Sequence, residues 1–353
     1  MEKRRRIVRA WLLAVAALVF AVVLVGGATR LTGSGLSIVE WRPVTGVLPP
    51  LSENEWRTEF EKYRTIPQYQ QINRGMSLGE FKTIYWWEWT HRLLGRFIGV
   101  AFLLPFLWFL WWGWIEPHWR ARLWGIFALG ALQGAVGWWM VASGLAGRVS
   151  VSQYRLAFHL TLACVIYAAL IWMGQEMRPR AAAVASRRMR ASALALLALV
   201  LLQIYIGALV AGLDAGLVYN TWPEIDGALV PAAERLWFLS PAWRNLFENA
   251  LTVQFSHRMM AYLLWALSCL HAVHLARGRQ EDSAITTAGL LALAITVQAF
   301  VGIATLLMQA PLVLALAHQA LAVGVLTLAV LHAQRLAPQR RVASAAHPAL
   351  SPT

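Results

Sequence analysis

Apolar runs without a single Asp, Glu, Lys or Arg recur along the chain, at residues 11–29, 97–115, 123–147, 156–175, 191–213 and 259–276. A bilayer core is crossed by roughly 20 apolar residues in one helix, so each run predicts one span. The final run, 283–334, is too long for one. Pro311 beside Gln309 marks a turn in its middle, which predicts two spans joined by a tight hairpin. The pattern therefore predicts an all-α integral membrane protein with eight transmembrane helices.

The polar segments between the runs set the orientation. One side collects Lys3, Arg4, Arg5, Arg6 and Arg9, then Arg120 and Arg122, then Arg178, Arg180, Arg187, Arg188 and Arg190, then Arg277 and Arg279, then Arg335, Arg340 and Arg341. Two long loops on the other side, 30–84 and 214–249, balance their basic residues with Glu40, Glu53, Glu55, Glu59, Glu61, Glu80, Asp214, Glu224 and Asp226. The excess of Lys and Arg marks the cytoplasmic side and predicts both termini inside. The N-terminal basic run and the apolar stretch after it show no clear A-x-A cleavage site, so a retained first span is expected.

Composition agrees with a lipid solvent: 59% of the 353 residues are hydrophobic, against only 31 basic and 17 acidic side chains. The net charge of +14 could suggest a nucleic-acid partner, but its charges sit where topology needs them, and no such partner is expected. Cys164 and Cys269 both fall inside predicted spans, where a structural disulfide is not expected.

The chain repeats itself. Spans three, five and seven each carry an apolar residue, Gln, three residues and Gly, ending at Gly137, Gly207 and Gly302. The stronger match is between spans two and six, where Glu88-Trp89-Thr90-His91-Arg92 lines up with Gln254-Phe255-Ser256-His257-Arg258. Spans four and eight each have a histidine near their outer start, His159 and His318. Duplication of a four-helix unit explains all three and predicts two pseudo-symmetric four-helix bundles, an N-terminal half over 1–180 and a C-terminal half over 181–353. Gly26, Gly27, Gly95, Gly99, Gly130, Gly134 and Gly137 suit close approach of helices.

Four histidines thus recur at one depth, one pair per half: His91 with His159, and His257 with His318. Ionisable residues inside a membrane are costly and point to function. Two imidazoles facing each other, with no carboxylate or thiolate cluster beside them, suit the axial positions of haem iron better than zinc; a proton relay or plain packing is the alternative. Arg92 and Arg258 follow two of them, where a guanidinium could pair with a haem propionate or simply snorkel to the interface. Glu88 breaks the symmetry, lying one helical turn from His91 where the other half has Gln254. A carboxylate near a haem edge can move protons or stabilise positive charge, and an amide cannot, so the halves are expected to differ in task. His271 and His332 lie 14 residues beyond His257 and His318, about 21 Å deeper on nearly the same face. That spacing leaves open an inner haem in the second half, although these two and His274 also lie where inner-interface side chains are expected.

These motifs resemble the haem A synthase (COX15/CtaA) family over residues 7–335, in the form without an outer-loop cysteine pair. The resemblance rests on GGATRLTGSGLS at 26–37, EWTHR at 88–92, AFH at 157–159, GLVYNTWP at 216–223, QFSHR at 254–258 and AHQ at 317–319. It implies oxidation of the C8 methyl of haem O to a formyl group by successive hydroxylations, giving haem A for cytochrome c oxidase. It also implies haem b as cofactor on His257 and His318, near Arg258. The substrate haem O would lie at His91 and His159, near Arg92, with Glu88 as the catalytic carboxylate. Implied partners are haem O synthase, an electron donor and membrane lipid, with a homo-oligomer allowed, in the bacterial inner membrane. The competing expectation from the residues alone is a multi-haem transmembrane cytochrome b that carries electrons from quinol. No chemistry is assigned to the polar loop 38–84.

Overall fold

The computed structural model describes residues 2–178, 185–278 and 281–338. Arg180, Arg279, Arg340 and Arg341, and the boundary expected between the halves, lie outside the described residues. Among the described residues, eight helices are long and apolar enough to cross a membrane: span 1 Glu2–Leu31, span 2 Leu78–Trp111, span 3 Pro117–Ala142, span 4 Gln153–Glu176, span 5 Arg187–Gly212, span 6 Ala250–Arg277, span 7 Asp282–Leu307 and span 8 Leu312–Leu336. The described residues contain no β-strand. The chain is a multi-pass, all-α membrane protein.

Several helices outrun their uncharged stretches. Span 2 has 34 residues, about 51 Å at 1.5 Å per residue, against a bilayer core of roughly 30 Å. Its outer turns carry charge because the loops offer partners: Lys82 bonds Glu53, Arg92 donates to the carbonyls of Ile38 and Glu40, and Arg96 donates to the carbonyls of Arg42 and Pro43. The hairpin falls where the proline places it. Gln309 and Ala310 take left-handed φ values of 59° and 53°, and Pro311 supplies the N-cap of span 8.

In the first four spans, span 1 packs on spans 2 and 4, and span 3 on spans 2 and 4; in the last four, spans 5 and 7 each pack on spans 6 and 8. Spans 1 and 4 then meet spans 5 and 8, and span 4 is the most enclosed, with half of its apolar window buried. Polar stitches hold this seam. Tyr167 meets Thr327 at 2.8 Å, Gln319 Nε2 donates to the Val23 carbonyl at 2.8 Å, and Arg30 pairs with Asp214 at 2.7 Å. Spans 3 and 7 lie at the outside, with only 11% of their windows buried.

The 38–84 loop is an ordered cap. Ser52 and Glu55 form a reciprocal capping box that starts the helix Glu53–Arg64, and Ser77 with Glu80 does the same for span 2. Trp56, Tyr63 and Ile66 pack with Phe81, Ile84 and Tyr85 of span 2, Leu36, and Val141 of span 3. Of the glycines expected to bring helices together, Gly95, Gly99, Gly130 and Gly134 have no atom within 4 Å of where a Cβ would stand. They face outward from the packing, so the small-residue spacing there does not mark a helix contact. Gly26, Gly27 and Gly137 do lie at close approaches.

Candidate functional site

Each of the four outer histidines sits on an even-numbered span, and its ring is received by a glycine on the span before it. A Cβ on Gly137 would stand 3.0 Å from His159 Cε1, one on Gly207 3.0 Å from His257 Cε1, and one on Gly302 2.7 Å from His318 Cε1. Gly26 receives His91 by a different edge, 2.9 Å from Nε2. Even a methyl group at these positions would press on the ring and force it to shift.

One helical turn before three of those glycines stands a glutamine. Gln133 Nε2 donates to the carbonyl of His159 at 3.0 Å, Gln203 to that of His257 at 3.1 Å, and Gln298 to that of His318 at 3.0 Å. In the second half the same nitrogen also lies 3.1 Å from His257 Nδ1 and 3.2 Å from His318 Nδ1. The Gln-to-Gly spacing that marks the duplication in the sequence is therefore a histidine cradle. Sequence reasoning had missed these glutamines as site residues, although their spans alternate with the histidine-bearing ones.

His159 is an electrostatic neighbour of His91, and His318 of His257. Around them, His159 Nδ1 and the Oε1 atoms of Gln133, Gln203 and Gln298 are buried without a partner. Buried polar atoms are rarely left so. An imidazole bound to a metal through Nε2 has a second group at Nδ1 that fixes its orientation; beside His257 and His318 that group is the Nε2 of the cradle amide. Two imidazoles per half, with supporting amides already in position, fit axial ligation of haem iron; among the described residues no cluster of three or more His, Cys, Asp or Glu offers a metal site of another kind.

Glu88 is buried, 2% exposed, and every approach to its carboxylate is taken. Arg92 donates to Oε1 from Nη2 at 2.6 Å and Nε at 3.1 Å, while the Ser37 hydroxyl and the Ile38 amide donate to Oε2 at 2.8 Å each. Arg92 continues to the carbonyls of Ile38 and Glu40. Arg258 makes the same clamp in the other half, donating to the carbonyls of Tyr219, Thr221 and Glu224. Both arginines thus hold backbone of the outer loops, a use not anticipated from sequence. Gln254, at the place of Glu88, is buried with Oε1 unpartnered.

The inner histidines form a different object. His271 Nε2 and His332 Nε2 are 2.7 Å apart, with Nδ1 of the first 2.9 Å from Ser192 Oγ and Nδ1 of the second 2.9 Å from Thr287 Oγ1. Axial ligation needs the two Nε2 atoms about 4 Å apart, each near 2 Å from the metal. This pair hydrogen-bonds to itself and leaves no room for an iron between its rings.

Comparison with known proteins agrees with this arrangement. A family model, COX15-CtaA, cytochrome oxidase assembly protein, matches residues 9–330. The chain is 62% identical over 337 residues to a heme A synthase of Rhodopseudomonas palustris strain HaA2, covering 96% of this chain and 92% of that protein. A heme A synthase of strain BisB5 is 63% identical over 334 residues, covering 95% and 92% of the two chains. One from Bradyrhizobium diazoefficiens is 61% identical over 335 residues, covering 95% and 93%.

Proposed function

Since the chain belongs to the COX15-CtaA family of cytochrome oxidase assembly proteins, we propose the following reading of its work: it is a haem A synthase, oxidising the C8 methyl of haem O to a formyl group. The observation that carries it is the extent of the likeness, about 62% identity along nearly the whole chain to proteins bearing that function. A multi-haem electron carrier is the weaker reading, because His271 and His332 bond each other at 2.7 Å.

The halves divide the labour. His257 and His318 hold a resident haem b, oriented by Gln203 and Gln298. Held by those two histidines, the group would supply electron transfer and not oxygen activation. His91 and His159 hold haem O as substrate, and Glu88 is the carboxylate that acts on it. The asymmetry of Glu88 against Gln254 supports this assignment, since only the first half carries a charge able to stabilise developing positive charge or take a proton. Arg92 keeps the 37–40 backbone closed over that carboxylate, and Arg258 does the same for 219–224 above the cofactor.

The basic clusters support termini in the cytoplasm, with both haem sites at the outer face of the bacterial inner membrane. Haem O synthase as supplier and a separate electron donor complete the system. The test is co-expression with a haem O synthase in a host lacking haem A, followed by extraction of haems. Haem A is the expected product; haem O alone, from folded and haem-loaded protein, would overturn the reading.

A further inference from the structure

The cradle is complete at three histidines and incomplete at the fourth. Gln133, Gln203 and Gln298 each stand one turn before the glycine that receives a ring, but span 1 has Val22 at that place before Gly26. No side chain among the described residues hydrogen-bonds to the ring or carbonyl of His91, whereas His159, His257 and His318 each have an amide on the carbonyl. The ring of His91 is also turned differently. It presents Nε2 to Gly26, the atom that would ligate iron, where the other three present Cε1 to their glycines.

From this we propose that His91 is the displaceable ligand of the first-half site, and that Gly26 is the resting place of its ring when it has left the iron. The inference rests on the proposed reading of His91 and His159 as the haem O site, and deepens it. The rings of His257 and His318 cannot turn without breaking an amide contact, and Gln133 holds the backbone of His159 by its carbonyl. The ring of His91 has no such contact to break, and the glycine opposite it leaves a hollow that accepts the ring. A site that must alter its haem needs one coordination position able to open, while a resident electron-carrying haem needs both closed. The distribution of the cradle glutamines matches those needs: both rings are held by an amide in the second half and neither in the first, where His159 has an amide on its carbonyl and His91 has none. The step itself is a ligand exchange, in which the bond from His91 Nε2 to iron breaks and an incoming ligand takes its position, with no change of oxidation state.

The test uses the full-length protein purified with its haems, reduced, and mixed with carbon monoxide as the probe. In the unaltered protein one haem class binds the probe, at a rate set by release of His91, and the other resists it. Val22→Gln supplies the missing amide and Gly26→Ala fills the resting place. Each is expected to slow binding about 3- to 10-fold, the equivalent of one net hydrogen bond, while Val22→Leu leaves it unchanged. Gln203→Leu and Gln298→Leu are expected to open the resistant haem to the probe. Wild-type kinetics in both Val22→Gln and Gly26→Ala, at full haem content, would overturn the inference. The parent reading has its own readout: His91→Ala with His159→Ala must lose the reactive haem. If that double variant keeps it, the first-half site itself is wrongly assigned; if the haem is lost but Val22→Gln has no effect, only the displaceable ligand is refuted.

Discussion

Replacing Glu88 by glutamine tests the division between the halves most directly, because the chain already carries that amide at the equivalent place, Gln254. The structure lets the cost be worked through. The amide oxygen can still accept from the Ser37 hydroxyl and the Ile38 N–H, which now reach Oε2 at 2.8 Å. The two bonds from Arg92 to Oε1, at 2.6 and 3.1 Å, would instead face an NH2 group. Bonds to charged groups contribute about 1.5–3 kcal/mol each, but Arg92 keeps its carbonyl partners Ile38 and Glu40, so a loss of about 2–4 kcal/mol is expected, against a total of about 5–15 kcal/mol for a typical domain. The protein should fold and load haem. Removal of a group that moves protons or stabilises charge in the reaction lowers the rate about 10²- to 10⁴-fold. Extracted haems from cells co-expressing haem O synthase would then contain haem O with little or no haem A, at unchanged haem content. Wild-type haem A from Glu88→Gln would refute the argument, since it would leave Glu88 only the task of holding the loop. The reciprocal Gln254→Glu should give no new product.

Three further outcomes follow from other parts of the molecule. His271→Ala and His332→Ala should each keep the full haem content in a pyridine haemochrome assay, because their rings occupy each other's ligand position; a lost haem would revive an inner site. Gly27→Ala should destabilise the seam between spans 1 and 8 by about 1–3 kcal/mol, measured as a lower midpoint of thermal unfolding in detergent, since its Cβ would stand 2.1 Å from Gln319 Oε1. In the outer cap, burial raises the Tyr63 hydroxyl above its ordinary value of 10.0. The folded state therefore favours the neutral phenol, and this stability is whole below pH 10 and lost as pH rises through the folded value. Limited proteolysis of the 53–77 segment should increase above about pH 10 in the native protein and much less in Tyr63→Phe.

The sequence by itself determined the number of spans, the hairpin at Pro311, the duplicated motifs and the place of the four histidines on the even-numbered spans. These follow from local rules: lipid excludes charge from helix-length stretches, proline stops a helix, and duplicated segments keep their residues in order. It also contained the singular position of Glu88. What those residues touch was decided only by the tertiary structure, because rotation and register between helices come from packing across the bundle and not from neighbours along the chain. The Gln-to-Gly spacing looked like a relic of duplication until adjacent spans set it against the histidines. Arg92 and Arg258 looked free for propionates until the loops brought carbonyls to them. The 14-residue spacing of the second-half histidines suited stacked haems, yet in the folded chain His271 and His332 lie within a hydrogen bond of each other. Val22, an ordinary apolar residue in an apolar span, acquires meaning only beside three glutamines that occupy its place elsewhere.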